Sequence, residues 1–326
     1  MRILVYEHIT GGGMLNDSRM AALAPEGEAM LRALVDDLTD IPGTEATVLR
    51  DFRLTADLPA AMRIVRPGQF AAVFRKALSE CDAVWPIAPE TDGILFGITS
   101  EILLSGRALL ASRPDAIAVA ASKLATVRAL ASAGIAVAEM FPDESRLPAL
   151  LPEIVAKPDD GAGCQDTLLF RDREHLRAWC GQHAQAKTVF QVYVSGEARS
   201  LSLLCCDGRV RILACNRQHV EIHKGIFHFS GVSVNAVAAD PYARLASAVA
   251  CAMPGLWGLC GVDFVETESG PVVIEVNPRL TTSYAGLRSA IGINPAQLVL
   301  ELPESLATAL QAERKTRIVE VAAHAG

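Results

Sequence analysis

Two short apolar segments with buried-type strand chemistry constrain this chain more than any other stretch. The first is Gly261-Val262-Asp263-Phe264-Val265-Glu266, and the second is Pro271-Val272-Val273-Ile274-Glu275-Val276-Asn277-Pro278-Arg279. Thr267-Glu268-Ser269-Gly270 lies between them and supplies turn residues, so the pair reads as a β-hairpin. Side chains alternate faces along a strand, so Asp263 shares a face with Val265, and Glu275 shares one with Asn277. A hairpin can then set Asp263 opposite Glu275 and Asn277. Two carboxylates and one amide oxygen converging on one spot suit Mg²⁺ or Mn²⁺. Arg279 can approach the same spot as a fork for phosphate or carboxylate. The competing reading is a solvated strand with alternating charge. Against it, Glu275 and Asn277 interrupt an apolar run, where an unpaired carboxylate is costly.

Length and composition limit what such a hairpin can serve. The chain has 326 residues, of which 51% are hydrophobic, enough for a large core and two or three subdomains. A net charge of −7, no basic tail and only 5% aromatic residues argue against nucleic acid as a partner. No uninterrupted apolar run reaches about 18 residues, so no membrane span is expected. Met1-Arg2-Ile3-Leu4-Val5-Tyr6-Glu7 reads as a strand, not as a leader peptide. Eight cysteines, none in a C-x-x-C pair and most in apolar segments, read as reduced core residues of a cytoplasmic protein. Cys164, in a Gly-rich loop, is the candidate for reactivity.

The first third alternates strands and helices. Strands are expected at 2–7, 46–50, 82–87 and 108–112, with helices near 26–38, starting at Pro25, and 70–79. That alternation implies a small parallel sheet, whose ligands bind past the carboxyl ends of strands. The first strand runs into Glu7-His8-Ile9-Thr10-Gly11-Gly12-Gly13, a loop whose backbone can approach a ligand closely, although it is not a dinucleotide fingerprint. A helix over 116–131 carries Lys123. The strand 153–158 ends in Lys157, followed by a loop of small residues with Gly161 and Gly163, whose amides can cradle phosphates while the lysine neutralises their charge. Further strands are expected at 188–194, 200–204 and 209–215, the last two joined at Asp207-Gly208, and a helix at 241–253. His219, His223 and His228 have spacing that a helix could use for zinc, but glycines and β-branched neighbours argue instead for a mobile loop with Lys224 near its tip. A last helix is expected near 295–301 and an edge strand at 317–321.

Gly-x-Asp, a short hairpin and Glu-Val-Asn-Pro-Arg resemble the metal-binding end of the ATP-grasp superfamily, and the other parts follow in the right order. The resemblance implies an α/β ATP-grasp fold: a parallel pre-ATP-grasp domain (1–115), a central subdomain (116–190) and a C-terminal subdomain with the metal site (191–326). It implies that ATP phosphorylates a small-molecule carboxylate and an amine attacks the acyl phosphate, giving an amide, ADP and phosphate. Asp263, Glu275 and Asn277 would hold two Mg²⁺ or Mn²⁺ ions. Lys123 and Lys157 would contact phosphates with Gly161 and Gly163, and Arg279 would steady the acyl phosphate. Gln191, Val192, Tyr193 and Val194 would form the adenine hinge, with Gln where the family has Glu. Glu197 would be the ribose contact, one place from the family's position at Ala198. The opening Tyr6–Gly13 segment, Ser200-x-Ser202 and Asn216-Arg217-Gln218 resemble the small ATP-grasp group that includes tyramine–glutamate ligase of methanofuran biosynthesis. This implies glutamate and an aromatic amine as substrates, with Glu7, Thr10, Gly11, Gly12, Arg217 and Tyr284 on the substrate side. A homodimer is a further family expectation. Two alternatives stay open: another amino-acid or dipeptide ligase, and an ATP-binding regulatory protein without turnover.

Overall fold

The computed structural model describes residues 1–55, 57–148, 153–161, 163–183, 187–302, 306 and 317–323. The chain opens with strands β1 (Arg2–Glu7), β2 (Glu45–Asp51), β3 (Ala61–Val65), β4 (Ala83–Ile87) and β5 (Ala108–Leu109). They form a parallel sheet in the order β3-β2-β1-β4-β5. Helices α1 (Met20–Thr39), α2 (Phe70–Glu80) and α3 (Ile94–Leu104) cover it. Ile3, Leu4, Val5 and Tyr6 of β1 are wholly buried, as a central parallel strand requires. Met30, Leu31, Leu34, Val35 and Leu38 form the α1 stripe that meets the sheet.

Three local expectations are revised. Helix α1 starts at Met20, not Glu26, with Pro25 inside it; so near the start, proline removes only the bond to the Ala21 carbonyl. Strand β3 was not expected, because as an edge strand it is mostly exposed and lacks an apolar run. The single helix over 116–131 is two, α4 (Pro114–Ala120) and α5 (Lys123–Ser132). Ser122 breaks them by adopting extended backbone and accepting a 3.0 Å bond from the Ala125 amide. Lys123 thereby becomes the first residue of α5.

The rest is antiparallel. Strands β6 (Met140–Phe141), β7 (Ile154–Pro158), β8 (Leu168–Phe170) and β9 (Thr188–Val192) pack against α6 (Arg173–Gln182). Strands β10 (Glu197–Cys206), β11 (Arg209–His223), β12 (Ile226–Val237), β13 (Gly258–Thr267) and β14 (Gly270–Asn277) make a larger sheet, and β15 (Val319–Ala322) joins it at β12. The order β14-β13-β10-β11-β12-β8-β7-β9-β6 links the two groups through one register pair, Ile226 with Leu168. Helix α7 (Ala243–Ala252) covers one face of the larger sheet. Helices α8 (Tyr284–Ile291) and α9 (Pro295–Leu300) join its other face to α1.

The segment expected as a mobile loop is the tip of the β11–β12 hairpin. Lys224 and Gly225 both take positive φ (52° and 82°) in a two-residue turn. Val220, Ile222, Phe227 and Phe229 pair across it, and the interleaved histidines had masked that alternation. Among the described residues, no helix is long and apolar enough to cross a membrane.

Candidate active site

Register decides which side chains meet. Asp263 of β13 lies directly opposite Glu275 of β14, and Asn277 lies opposite Gly261, one step along the same face. A bulge just past the Asp263–Glu275 pair, before Phe264–Val273, turns Val273 to the other face, where it joins Val276 in the apolar core. Across β13, Asp263 faces Ser200 of β10, which faces Asn216 of β11. One polar face therefore runs across four strands. Asn277 Nδ2 donates to Asp263 Oδ2 at 3.2 Å, and Gln218 adds a second side-chain bond to Asp263. Burial pushes the Asp263 carboxyl up to about 7, and the facing charge of Glu275 adds to the rise.

A buried network supports this face from beneath. Asn216 Nδ2 donates to Ser200 Oγ (3.2 Å) and Ser202 Oγ (3.0 Å), and its Oδ1 accepts from the Asn235 amide at 3.0 Å. Ser202 bonds Ser283 at 3.1 Å, and Ser283 bonds Thr281 at 3.0 Å. The sequence singled out Ser200, Ser202, Asn216 and Gln218 as motif residues but did not assign them these roles.

The cations come from β7, further along the sheet, and from helix α5. Lys157 of β7 lies opposite Val189, and Gln191 lies opposite Val155, so Lys157 and Gln191 share one face. Burial pulls Lys157 down to about 8 and Lys123 pushes the same way, while Glu275 and Asp263 oppose the shift. Lys123 Nζ is 3.7 Å from Glu275 Oε1 and donates to the carbonyls of Gly161 and, at 3.5 Å, Asp159. Lys123 and Lys157 thus set positive charge against Glu275 and Asp263. The Gly-rich loop lies beside it, with Gly163 and Cys164 at φ 66° and 62°; Ala162 is outside the described residues. Burial, with Glu275 and Asp263 nearby, pushes the Cys164 thiol up to about 11. A thiol held up in this way carries little thiolate at neutral pH, which weighs against the reactivity expected of it. Gln191 is buried and its Oε1 has no partner among the described residues. In the expected hinge the amides of Val192 and Tyr193 already donate to the carbonyls of Glu139 and Glu153, so they do not read a ligand edge; Val194 follows β9.

Arg279 enters from the strand end and is held by Glu90, just past β4. Its Nε donates to Glu90 Oε1 at 3.0 Å and its Nη2 to Oε2 at 3.1 Å. Both groups are largely buried.

Other expected site residues lie elsewhere. Glu197 and Arg217 fall on the face of β10 and β11 opposite to Ser200 and Asn216, away from Asp263. Arg199 and Arg217 both pair with the Glu197 carboxylate. A one-residue difference in strand parity places Glu197 on the wrong face for a ribose contact, and places Arg217 there with it. Tyr284 is buried in the core, its hydroxyl donating to Asp37 Oδ2 at 2.5 Å. It ties α8 to α1 and is not open to substrate. Glu7 is buried and accepts from the amides of Ile9 (3.2 Å) and Thr10 (2.6 Å) and from Thr10 Oγ1 (2.7 Å). It organises the wide turn Ile9–Gly13, in which Thr10, Gly11 and Gly12 are buried and Gly12 has φ 92°. His219 bonds Ser233 at 2.8 Å and His223 bonds Glu221 at 2.7 Å. Among the described residues no three His, Cys, Asp or Glu side chains form a metal cluster.

The Asp263–Glu275–Asn277 set fits a small hard cation. It offers hard oxygens on one face, and a divalent ion would offset both the burial and the Glu275 charge that raise Asp263.

Residues 120–283 match the ATP-grasp domain family, and residues 44–117 match the pre-ATP-grasp domain. Tyramine–L-glutamate ligase of Methanocaldococcus jannaschii is 25% identical over 293 residues, covering 88% of this chain and 85% of that protein. An ATP-grasp superfamily structure from Archaeoglobus fulgidus superposes with a TM-score of 0.71 at 24% identity, over 92% of this chain and 88% of that one. The ATP complex of D-alanine–D-alanine ligase from Bacillus anthracis gives 0.62 at 17% identity, over 94% and 95%. With half its length matched by the ATP-grasp domain and a pre-ATP-grasp domain ahead of it, the chain belongs to the ATP-grasp family, whose members bind ATP with Mg²⁺ or Mn²⁺.

Proposed function

We propose that this ADP-forming carbon–nitrogen ligase joins L-glutamate to tyramine or a related amine, through an acyl phosphate, in the synthesis of a methanofuran-like one-carbon carrier. The observation that carries the reading is the meeting of opposite charges: Asp263, Glu275 and Asn277 on the β13–β14 hairpin, Lys157 on β7 acting on Glu275 and Asp263, and Lys123 3.7 Å from Glu275. Phosphoryl transfer needs positioning and charge neutralisation more than protein covalency, and these residues offer both.

In this reading Lys123 and Lys157 bind the nucleotide phosphates beside the Gly161–Gly163 loop. The orphaned Gln191 oxygen accepts from an amino group on the base. Asp263, Glu275 and Asn277 hold Mg²⁺ or Mn²⁺, two ions as in the resemblance, which neutralise the β- and γ-phosphates when bound. Arg279 presents its guanidinium to the activated carboxylate. The turn Ile9–Gly13, shaped by Glu7, borders the substrate side. The division at residues 115 and 190 belongs to the same reading.

The test is ADP release from ATP and Mg²⁺ with L-glutamate and a panel of aromatic amines, with mass spectrometry of the product. Release that depends on both substrates and is lost in Glu275→Ala is expected. Release unaffected by L-glutamate with every amine would exclude these substrates, and wild-type turnover in Glu275→Ala would exclude the metal assignment.

A further inference from the structure

Arg279 and Glu90 are 189 residues apart in sequence, and the fold brings them together as a largely buried, two-pronged ion pair. The donors of the guanidinium can be accounted for one by one. Nε and one Nη2 hydrogen go to Glu90, at 3.0 and 3.1 Å, and one Nη1 hydrogen goes to the Leu280 carbonyl at 3.2 Å. Guanidinium has five N–H groups in a fixed plane, so two remain, one on Nη1 and one on Nη2. The free Nη2 hydrogen lies on the end-on edge, pointing away from Glu90, where it can donate to a carboxylate or phosphate oxygen.

The turn that carries Glu90 is itself fixed to the loop that follows β7. Thr91 Oγ1 donates to the Asp160 carbonyl at 2.8 Å, and the Asp92 amide donates to Asp160 Oδ2 at 3.2 Å. Asp160 belongs to the Gly-rich loop. One turn of the parallel domain therefore touches both the phosphate loop and the arginine at the end of the carboxylate strand. A free arginine in an open cleft would sample many rotamers, and Glu90 removes that freedom.

We propose that Glu90 is a positioning residue for the ligase reaction. It locks the Arg279 side chain by its Nε edge, so that the end-on edge faces the carboxylate substrate and its acyl phosphate. This rests on the ligase reading above for its substrate, but not for its geometry.

Two experiments separate those dependences. The first is kinetic, with ATP, Mg²⁺, L-glutamate and tyramine. Glu90→Gln and Glu90→Ala are expected to lower kcat/KM for glutamate by about 10- to 100-fold, the usual penalty for losing alignment of a reacting group, with the KM for ATP little changed. Glu90→Asp is expected to recover part of the loss. Because Glu90 acts through Arg279, Glu90→Ala combined with Arg279→Ala is expected to be no worse than Arg279→Ala alone. Independent, multiplying losses in the double variant, or wild-type kcat/KM in Glu90→Ala, would overturn the proposal.

The second experiment needs no substrate. Phenylglyoxal labelling with peptide mass spectrometry reads access to the Arg279 guanidinium. Labelling of Arg279 is expected to accelerate several-fold in Glu90→Ala and to stay near wild type in Thr91→Ala. Unchanged labelling in Glu90→Ala would refute the lock even if the true substrates were other than glutamate and tyramine. Absence of turnover in the wild type, together with accelerated labelling of Arg279 in Glu90→Ala, would fault the substrate reading alone.

Discussion

Replacing Asp263 by Asn should make the metal-free protein more stable while removing its activity. In the metal-free cleft Asp263 is buried opposite Glu275, and its carboxyl is pushed from 3.8 up to about 7. A group whose folded value lies above its unfolded one weakens the fold as pH rises, because the unfolded chain loses the proton first. The loss begins near the unfolded value and is complete above the folded one. A rise from 3.8 to about 7 corresponds to about 4 kcal/mol. Asn keeps the size and can still take a bond from Gln218, so a gain of about 2–4 kcal/mol is expected at pH 8, and almost none at pH 4. For a chain of this length that is a rise of about 3–6 °C in Tm. The assay is thermal or urea denaturation in a chelator at both pH values. Mg²⁺ with ATP should then stabilise the wild type and leave Asp263→Asn unmoved. An Asn variant no more stable than wild type at pH 8, or equally more stable at both pH values, would refute the reasoning.

Lys157, pulled down to about 8 by burial, should make nucleotide affinity fall as pH rises through that value, with proton uptake on binding above it. Calorimetry in two buffers should show both effects, and Lys157→Arg should abolish them. Gly27→Ala should destabilise by about 1–3 kcal/mol, because its Cβ would sit 2.8 Å from the Glu7 carboxylate that holds the Ile9–Gly13 turn; an unchanged urea midpoint would contradict this. Iodoacetamide at pH 8 should label exposed Cys251 well before Cys164, whose thiolate fraction is lowered roughly 100-fold by a rise from 9.0 to about 11. Early labelling of Cys164 in peptide maps would show that its thiol is not held up.

The parts of the site that sequence revealed are those where local pattern and burial agree. Asp263, Glu275 and Asn277 stand out because each interrupts an apolar alternation, and the turn between them is two residues long. Lys157 stands out because it closes an apolar strand ahead of a loop of small residues. Strand parity was not legible: Glu197 and Ala198 differ by one position, and only the pairing with β13 decides which one faces Asp263. Long-range partners were not legible either. Tyr284 reads as an available phenol until Asp37, 247 residues away, takes its hydroxyl. Arg279 reads as a free fork until Glu90 arrives from the other domain. The break between α4 and α5 was missed because a single serine in an alanine-rich run carries the whole signal.

The most direct measurement is anomalous diffraction from crystals grown with Mn²⁺ and a non-hydrolysable ATP analogue. Strong peaks enclosed by Asp263, Glu275 and Asn277, with the nucleotide's terminal phosphates between them and Lys157, are the expected result. A bound nucleotide whose Mn²⁺ lies elsewhere, with no anomalous peak beside those three side chains, would contradict the account.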